Sequence, residues 1–153
     1  MGSKRLPAPG FRLPALVAAS GFRIASTRNM ARDPRNLRVF ALADDLVPDI
    51  YLVTKRFPTA ERYGLVAQMR RAAVSIPANI VEGCARRTEK DYLNFLNVAN
   101  GSAYELGHLI RLSQRLGFIE SSVSLTLADR AEHIAASLTA LIDAVQANAT
   151  ARK

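Results

Sequence analysis

The sequence predicts an all-α protein folded as an antiparallel, up-down-up-down four-helix bundle. After residue 37, apolar residues recur at spacings of three and four in four separate segments, which is the repeat of an amphipathic helix. No proline follows Pro77, so the second half of the chain can form long helices. No strand pattern competes with these segments. Four helices of about 20 residues joined by short connections are typical of such a bundle.

The first predicted helix begins near residue 37. Pro48 lies within it and is expected to bend or divide it, because proline cannot donate the helical hydrogen bond. Pro58 is expected to end this helix, and Thr59 is expected to cap the next one. The apolar face of the first helix consists of Val39, Ala43, Leu46, Ile50, Val53 and Phe57.

The second predicted helix contains Pro77, which is expected to kink it, and Gly83, which is expected to end it. Its main apolar face consists of Leu65, Met69, Ala72, Ala73, Ile76 and Ile80. A helical projection places two further groups outside this face. One is a polar row of Arg71, Ser75, Asn79 and Glu82, and the other is a second apolar arc of Val74, Pro77 and Val81.

The third and fourth predicted helices follow without interruption by proline. Thr88 precedes Asp91 by three positions, an approximate capping box, and Gly117 is expected to end the third helix. Ser121 or Ser122 is expected to cap the fourth helix. The apolar face of the third helix is Tyr92, Phe95, Leu96, Ala99, Ala103, Leu106, Ile110 and Leu116; that of the fourth is Leu127, Ala131, Ile134, Leu138, Leu141 and Val145.

The two apolar sides of the second helix suggest contact with another molecule. In a four-helix bundle every helix is peripheral, so Val74, Pro77 and Val81 are candidates for an oligomer interface. The alternative is that these small side chains are simply exposed to solvent. Gly101 and Gly107 in the third helix are expected to let neighbouring helices approach closely.

The polar row of the second helix has two interpretations. It could be a site, or a hydrogen-bonded seam in which Glu82 pairs with an arginine while Ser75 and Asn79 bond backbone groups that Pro77 leaves free. Ser102 and Glu105 of the third helix are the expected partners of such a seam. We favour the seam, because neither a nucleophile nor a set of metal ligands accompanies the row.

The positive charge of the chain is distributed unevenly. The chain has 21 Lys and Arg against 13 Asp and Glu, a net charge of +8, yet residues 1–29 contain no acid and supply five of these charges. We expect this segment to be a disordered or spurious extension. A signal or transit peptide is the alternative, since residues 13–22 are mostly apolar. The predicted bundle spans residues 30–148, and residues 149–153 are expected to fray.

Basic residues also group along the predicted bundle. Those near the junction of the second and third helices are Arg70, Arg71, Arg86, Arg87 and Lys90. They are candidates for binding the phosphates of RNA or another polyanion. The alternative is a solvated surface whose arginines pair with nearby carboxylates. No helix-turn-helix and no aromatic stacking platform is recognised, so base-specific recognition is not expected.

Catalytic and metal-binding patterns are missing from the sequence. His108 and His133 do not share a metal-ligand spacing, and the Glu-x-x-His pair of Glu105 and His108 has no second pair to complete a di-metal site. The single cysteine, Cys84, excludes a disulfide framework and a multi-cysteine zinc site. No apolar run reaches the length of a membrane span. We therefore predict neither catalytic residues nor a cofactor nor a bound metal.

Two blocks of the sequence resemble a known protein family. The first covers residues 63–65 and 68–83 and includes Ser-Ile-Pro-Ala-Asn-Ile at residues 75–80; the second covers residues 95–106. Both are similar to the four-helix-bundle family whose founding members are encoded in intervening sequences of bacterial 23S ribosomal RNA genes. The resemblance covers about residues 37–146 and places the usual family start close to Met30.

This resemblance implies a small cytosolic bacterial protein that assembles into a ring of five bundles and has no catalytic residues. It also implies kinship with the accessory protein of diversity-generating retroelements, a basic pentamer that binds nucleic acid and a reverse transcriptase. We therefore expect a non-enzymatic homo-oligomeric scaffold or adaptor that binds RNA or DNA but no membrane. The alternative is a purely structural protein–protein interaction module.

Overall fold

A computed structural model describes residues 32–151 of the chain. Four helices form the bundle, and each helix packs against its neighbours in sequence while the first also packs against the last, which closes the structure. This arrangement confirms the predicted all-α four-helix bundle. The helices are α1 (Arg38–Thr54), α2 (Leu65–Cys84), α3 (Glu89–Arg115) and α4 (Ser121–Thr150), and short 3-10 helices span Pro34–Asn36 and Thr59–Glu61.

The apolar faces predicted from the sequence meet in one core. Ile50, Met69, Leu106 and Leu138, one from each helix, are almost completely buried. Two predicted residues are exceptions. Phe95 is only partly buried and lies outside the core. Leu116 is 52% exposed. It is the C-cap residue of α3, where the chain leaves the helix, so its predicted place in the core is wrong.

Both predicted signals at the ends of α3 are confirmed. The Thr88 hydroxyl caps the helix by accepting the Asp91 N–H at 3.0 Å. Gly117 follows the last turn with a φ of 77°, a left-handed conformation that glycine adopts without steric cost. The N–H of Phe118 donates to the carbonyl of Ser113 at 2.9 Å, so the chain reverses in a Schellman motif.

The predicted starts of α2 and α4 are wrong. Thr59 lies in a short 3-10 helix, and α2 begins after Gly64, where the Glu61 carboxylate accepts the Leu65 N–H at 3.2 Å. At α4, Ser121 is already helical and Glu120 occupies the N-cap position without a side-chain cap. The helix then continues to Thr150, so residues 149–150 of the predicted tail are helical.

The prolines do not divide their helices, and two of the glycines differ from expectation. Both α1 and α2 continue through Pro48 and Pro77, and Gly83 lies inside the last turn of α2 rather than ending it. A Cβ atom on Gly83 would lie 3.0 Å from the Cβ of Phe95, so this glycine allows α2 and α3 to approach. At Gly101 no described atom lies within 4 Å of such a position, so residues 32–151 do not make the expected close approach there.

Two further points concern membrane spanning and the two ends of the chain. Within residues 32–151, none of the helices is long and apolar enough to cross a membrane. The extension predicted at residues 1–29 lies outside the described residues, as do residues 152 and 153.

Candidate functional site

A chain of hydrogen bonds connects α2 to α3 at the middle of their contact. The Asn79 amide donates to the Ser75 hydroxyl at 3.0 Å, and the hydroxyls of Ser75 and Ser102 lie 2.8 Å apart. The Ser102 hydroxyl donates its proton to the carbonyl of Val98 at 2.9 Å, so Ser75 must be the donor to Ser102. Both hydroxyls and the amide nitrogen of Asn79 therefore have partners, as buried polar groups require. The arrangement is a hydrogen-bonded structural seam between α2 and α3.

Ion pairs lie on both sides of this seam. Arg71 pairs with Glu105 across α2 and α3, and Glu82 pairs with Arg86 one turn further along the chain. These four side chains are substantially exposed, and such pairs contribute at most about 1 kcal/mol each. They mainly neutralise charge on this face of the bundle.

The structure differs from the expectation that Ser75 and Asn79 bond the backbone groups that Pro77 leaves free. In an α-helix a residue at position 77 would donate to the carbonyl of Ala73, and proline cannot do so. The Asn79 amide donates instead to the carbonyl of Ser75, at 2.7 Å. The side chains of the seam therefore stabilise the following turn and do not replace the missing bond.

The outer face of α2 is apolar. Val74 and Val81 are 42% and 45% exposed, and the exposed Ala78 lies between them. The structure corrects the placement of Pro77, which is buried inside the bundle because it projects toward the side of α2 that packs on α1. Ala67, Val74, Ala78, Val81 and Ala85 form this outer face, to which we refer as the α2 outer face.

The basic residues predicted to form one cluster lie in two places. Arg71 lies thirteen residues before the end of α2, a distance of about 20 Å along the helix. Arg70 is directed toward α1, where its Nε donates to the Thr54 hydroxyl at 2.9 Å and its guanidinium covers the ring of Tyr51. Arg70 and Arg71 therefore do not belong to the α2–α3 junction.

At the α2–α3 junction itself, aromatic rings hold two of the cations. The guanidinium of Arg86 lies 4.7 Å from the ring centre of Phe95, and that of Arg32 lies 4.1 Å from the ring centre of Tyr92. The sequence analysis missed Arg32, because only the fold carries the segment before α1 to this end of the bundle. Arg87 and Lys90 are exposed, and neither forms an ion pair with any described residue.

Titratable groups of the kind used in catalysis are scattered. Among residues 32–151, no three His, Cys, Asp or Glu side chains are grouped in a way that could hold a metal ion. His108 and His133 are exposed on different helices. Burial raises the pKa of the Cys84 thiol, an effect that the nearby Arg32 partly opposes, so this thiol is a poor nucleophile.

An open groove of about 630 Å³ lies between the C-terminal half of α3 and the start of α4. Its walls include His108, Arg111 and Arg115 from α3 and Leu125 and Asp129 from α4. Arg111 already pairs with Glu132. The lining of the groove is mainly apolar, and although it also includes Ser121 and Ser124, neither serine forms a hydrogen bond with His108 in the described part of the chain.

Comparisons with known proteins support the fold. Residues 35–140 match the family model described as 23S rRNA-intervening sequence protein. A crystal structure of a protein of unknown function from the S23 ribosomal protein family of Bacteroides thetaiotaomicron VPI-5482 is similar, with a TM-score of 0.64 and 23% sequence identity. The match covers 69% of this chain and 95% of that one, and it shows a shared fold. No curated protein matches the chain.

Proposed function

The chain belongs to the 23S rRNA-intervening sequence protein family, and we propose that it acts as a homo-oligomeric scaffold without catalytic activity. The family match agrees with the resemblance noted in the two sequence blocks. Neither the family model nor the similar crystal structure carries the description of an enzyme. The observation that carries the proposal is the α2 outer face.

The α2 outer face has the pattern of a helix that packs on two sides. Together with Arg71, its five residues recur at alternate steps of four and three, which is the spacing of a coiled-coil seam. A surface helix normally has one apolar stripe, and the core already covers the first stripe of α2. A second copy of the chain would remove Val74 and Val81 from water and give this second stripe a partner.

Gly101 on α3 is a second observation in favour of an interface between copies beside the α2 outer face. It lies one turn from Val98 and Glu105, on the side of α3 that borders α2, and no atom of residues 32–151 lies within 4 Å of the position that a Cβ would take there. A glycine inside a helix costs about 1 kcal/mol relative to alanine. Because no contact with the described part of the chain explains this cost, contact with a second copy offers a reason for it.

Light scattering combined with size-exclusion chromatography tests the scaffold proposal. The chain has a mass of 16.7 kDa, and the ring of five that the family resemblance implies would have a mass of about 84 kDa. We expect an oligomer for the wild type and a monomer for Val74→Glu combined with Val81→Glu. Val123→Glu is the matched control, since this valine of α4 is exposed to a similar degree.

Two outcomes would contradict self-association through α2. One is a wild type that remains monomeric at all concentrations, and the other is a double variant that keeps the wild-type mass. Circular dichroism of each variant shows whether its helices are intact, so that a loss of assembly is not confused with a loss of folding.

Polyanion binding at the α2–α3 junction is the second candidate function. It is favoured by Arg87 and Lys90, whose charges no described carboxylate pairs with. The body of the chain, residues 30–153, has an excess of three positive charges, so assembly of five copies would raise this excess to about +15.

Binding of a structured RNA, measured over a salt series, tests this candidate. If these residues contact phosphates, Arg87→Ala combined with Lys90→Ala should reduce the dependence of log affinity on log salt by about 1.8. An affinity that does not depend on salt would contradict phosphate binding.

A further inference from the structure

We propose that the end of the bundle opposite the α2–α3 junction binds single-stranded nucleic acid, with Tyr63 stacking on a base and neighbouring cations contacting phosphates. This end is formed by the α1–α2 connection, residues 55–64, and the α3–α4 connection, residues 116–120. The proposal does not rest on self-association through the α2 outer face.

The contact between Phe57 and Phe118 brings the two connections together. Their ring centres are 5.4 Å apart, and Phe57 is buried. Lys55 and Arg56 directly precede Phe57, while Arg115 is three residues before Phe118. The contact between Phe57 and Phe118 therefore brings together cations that lie about 60 residues apart in the sequence.

The cations at this end are not neutralised within the described part of the chain. Lys55, Arg56, Arg62 and Arg115 are exposed, and none of them pairs with a carboxylate of residues 32–151. Two carboxylates lie in the same connections, Glu61 and Glu120, and the Glu61 carboxylate accepts the Leu65 N–H. The balance of charge at this surface is therefore positive.

Tyr63 supplies the aromatic surface. It is 86% exposed, the most exposed large apolar residue among those described, and the guanidinium of Arg62 lies 5.8 Å from its ring centre. Burial in the core does not explain this ring. Aromatic rings beside cations are the usual elements of single-strand binding, in which a base stacks on the ring and the cations follow the backbone.

The opposite end of the bundle is less suited to this role. There Arg35 pairs with Asp33 and Arg86 with Glu82, and the aromatic rings are less accessible, since Tyr92 is buried and Phe95 is partly buried. Among residues 32–151, no ring at that end has the exposure of Tyr63. A duplex, whose bases are stacked on each other, could use the cations near Tyr63 but not its ring.

Fluorescence anisotropy with a short labelled single-stranded RNA, and with the duplex of the same sequence, tests the proposal. Tyr63→Ala should weaken single-strand binding roughly 5- to 150-fold and leave duplex binding unchanged. Tyr63→Phe should bind as the wild type does, because stacking needs the ring and not the hydroxyl. Lys55→Ala combined with Arg56→Ala should reduce the salt dependence of single-strand binding by about 1.4.

Matched controls separate this surface from others. Tyr104→Ala removes another exposed tyrosine, located on α3, and should not affect binding. Arg87→Ala combined with Lys90→Ala removes two cations at the opposite end and should have a smaller effect than the change at Lys55 and Arg56. Tyr63 makes few contacts, so its replacement should leave the helical content of the protein unchanged.

Three results would overturn the proposal. They are a wild type that binds no single strand at low salt, unchanged binding by Tyr63→Ala, and a larger effect of the Arg87 and Lys90 changes than of the Lys55 and Arg56 changes. The double variant Val74→Glu with Val81→Glu, which is expected to be monomeric, is measured in the same single-strand binding assay. If it keeps the wild-type affinity per chain, the single-strand site does not depend on the oligomer.

Discussion

The hydroxyl of Ser75 donates to the hydroxyl of Ser102 across the α2–α3 contact, at 2.8 Å. The direction of this hydrogen bond follows because the Ser102 hydroxyl already donates to the carbonyl of Val98. Asn79 completes the path by donating to Ser75. Three polar side chains thus form a directed chain between two helices that are also joined by the Arg71–Glu105 ion pair and by apolar contacts.

The two serines should be energetically coupled. In a double-mutant cycle of Ser75→Ala and Ser102→Ala, we expect a coupling free energy of about 0.5–1.5 kcal/mol, measured by urea unfolding. Ser137→Ala is the control, because this hydroxyl donates only to the carbonyl of His133 in its own helix. A coupling indistinguishable from zero would show that the hydrogen bond is not stabilising.

Substitution of alanine at two helix glycines should have opposite effects. Gly83→Ala would place a Cβ atom 3.0 Å from the Cβ of Phe95 and 3.2 Å from Cδ2 of Tyr92, so it should lower the free energy of unfolding by about 1–3 kcal/mol. In the monomeric background of Val74→Glu with Val81→Glu, Gly101→Ala meets open space among the described residues and should raise it by about 0.5–1 kcal/mol. Thermal unfolding of both variants checks the pair. Equal effects would contradict the packing role of Gly83.

Stability should fall at alkaline pH. Burial raises the pKa of the Cys84 thiol above its ordinary value of 9.0 and that of the Tyr92 hydroxyl above 10.0. The unfolded chain therefore loses these protons at lower pH than the folded one. Their contribution is fully present below about pH 9 and is lost as the pH rises through the folded-state values.

Urea unfolding at about pH 8 and about pH 10.5 measures this loss. Cys84→Ala should show a smaller decrease than the wild type between the two pH values, because only Tyr92 then contributes. Iodoacetamide offers an independent check: the native thiol should react slowly at about pH 8 and rapidly in denaturant. A native thiol that reacts as fast as a free one would contradict its burial.

One ion pair joins α1 to α4, the least extensive contact between neighbouring helices. Arg130 pairs with Asp49, and its Nη2 donates to the carbonyl of Asp45 at 3.1 Å. Arg130→Met keeps much of the side-chain volume, and we expect it to lower the free energy of unfolding by about 1 kcal/mol or less, since both partners are partly exposed. Arg111→Met, at the more exposed pair with Glu132, should have a smaller effect. High salt should reduce both differences.

The apolar faces of the helices could be predicted because periodicity is a local property. Ile76, Leu106 and Leu138 follow the repeat of an α-helix, and they are buried where that repeat predicts. Helix ends were less predictable. Thr59 has the right chemistry for a cap, yet the chain forms a 3-10 turn before α2 begins at Leu65. Such starts depend on how the connection crosses the end of the bundle.

The sequence by itself determined the four helices, their buried faces and the polar seam, because each follows from the order of residues along one helix or two neighbouring ones. Only the tertiary structure decided which charges and rings share a surface. Arg70 and Arg87, assigned to one cluster, lie apart, whereas Arg56 and Arg115 share an end through the contact of Phe57 with Phe118. The reason is geometric, since antiparallel packing brings distant connections together and separates the two ends of each helix.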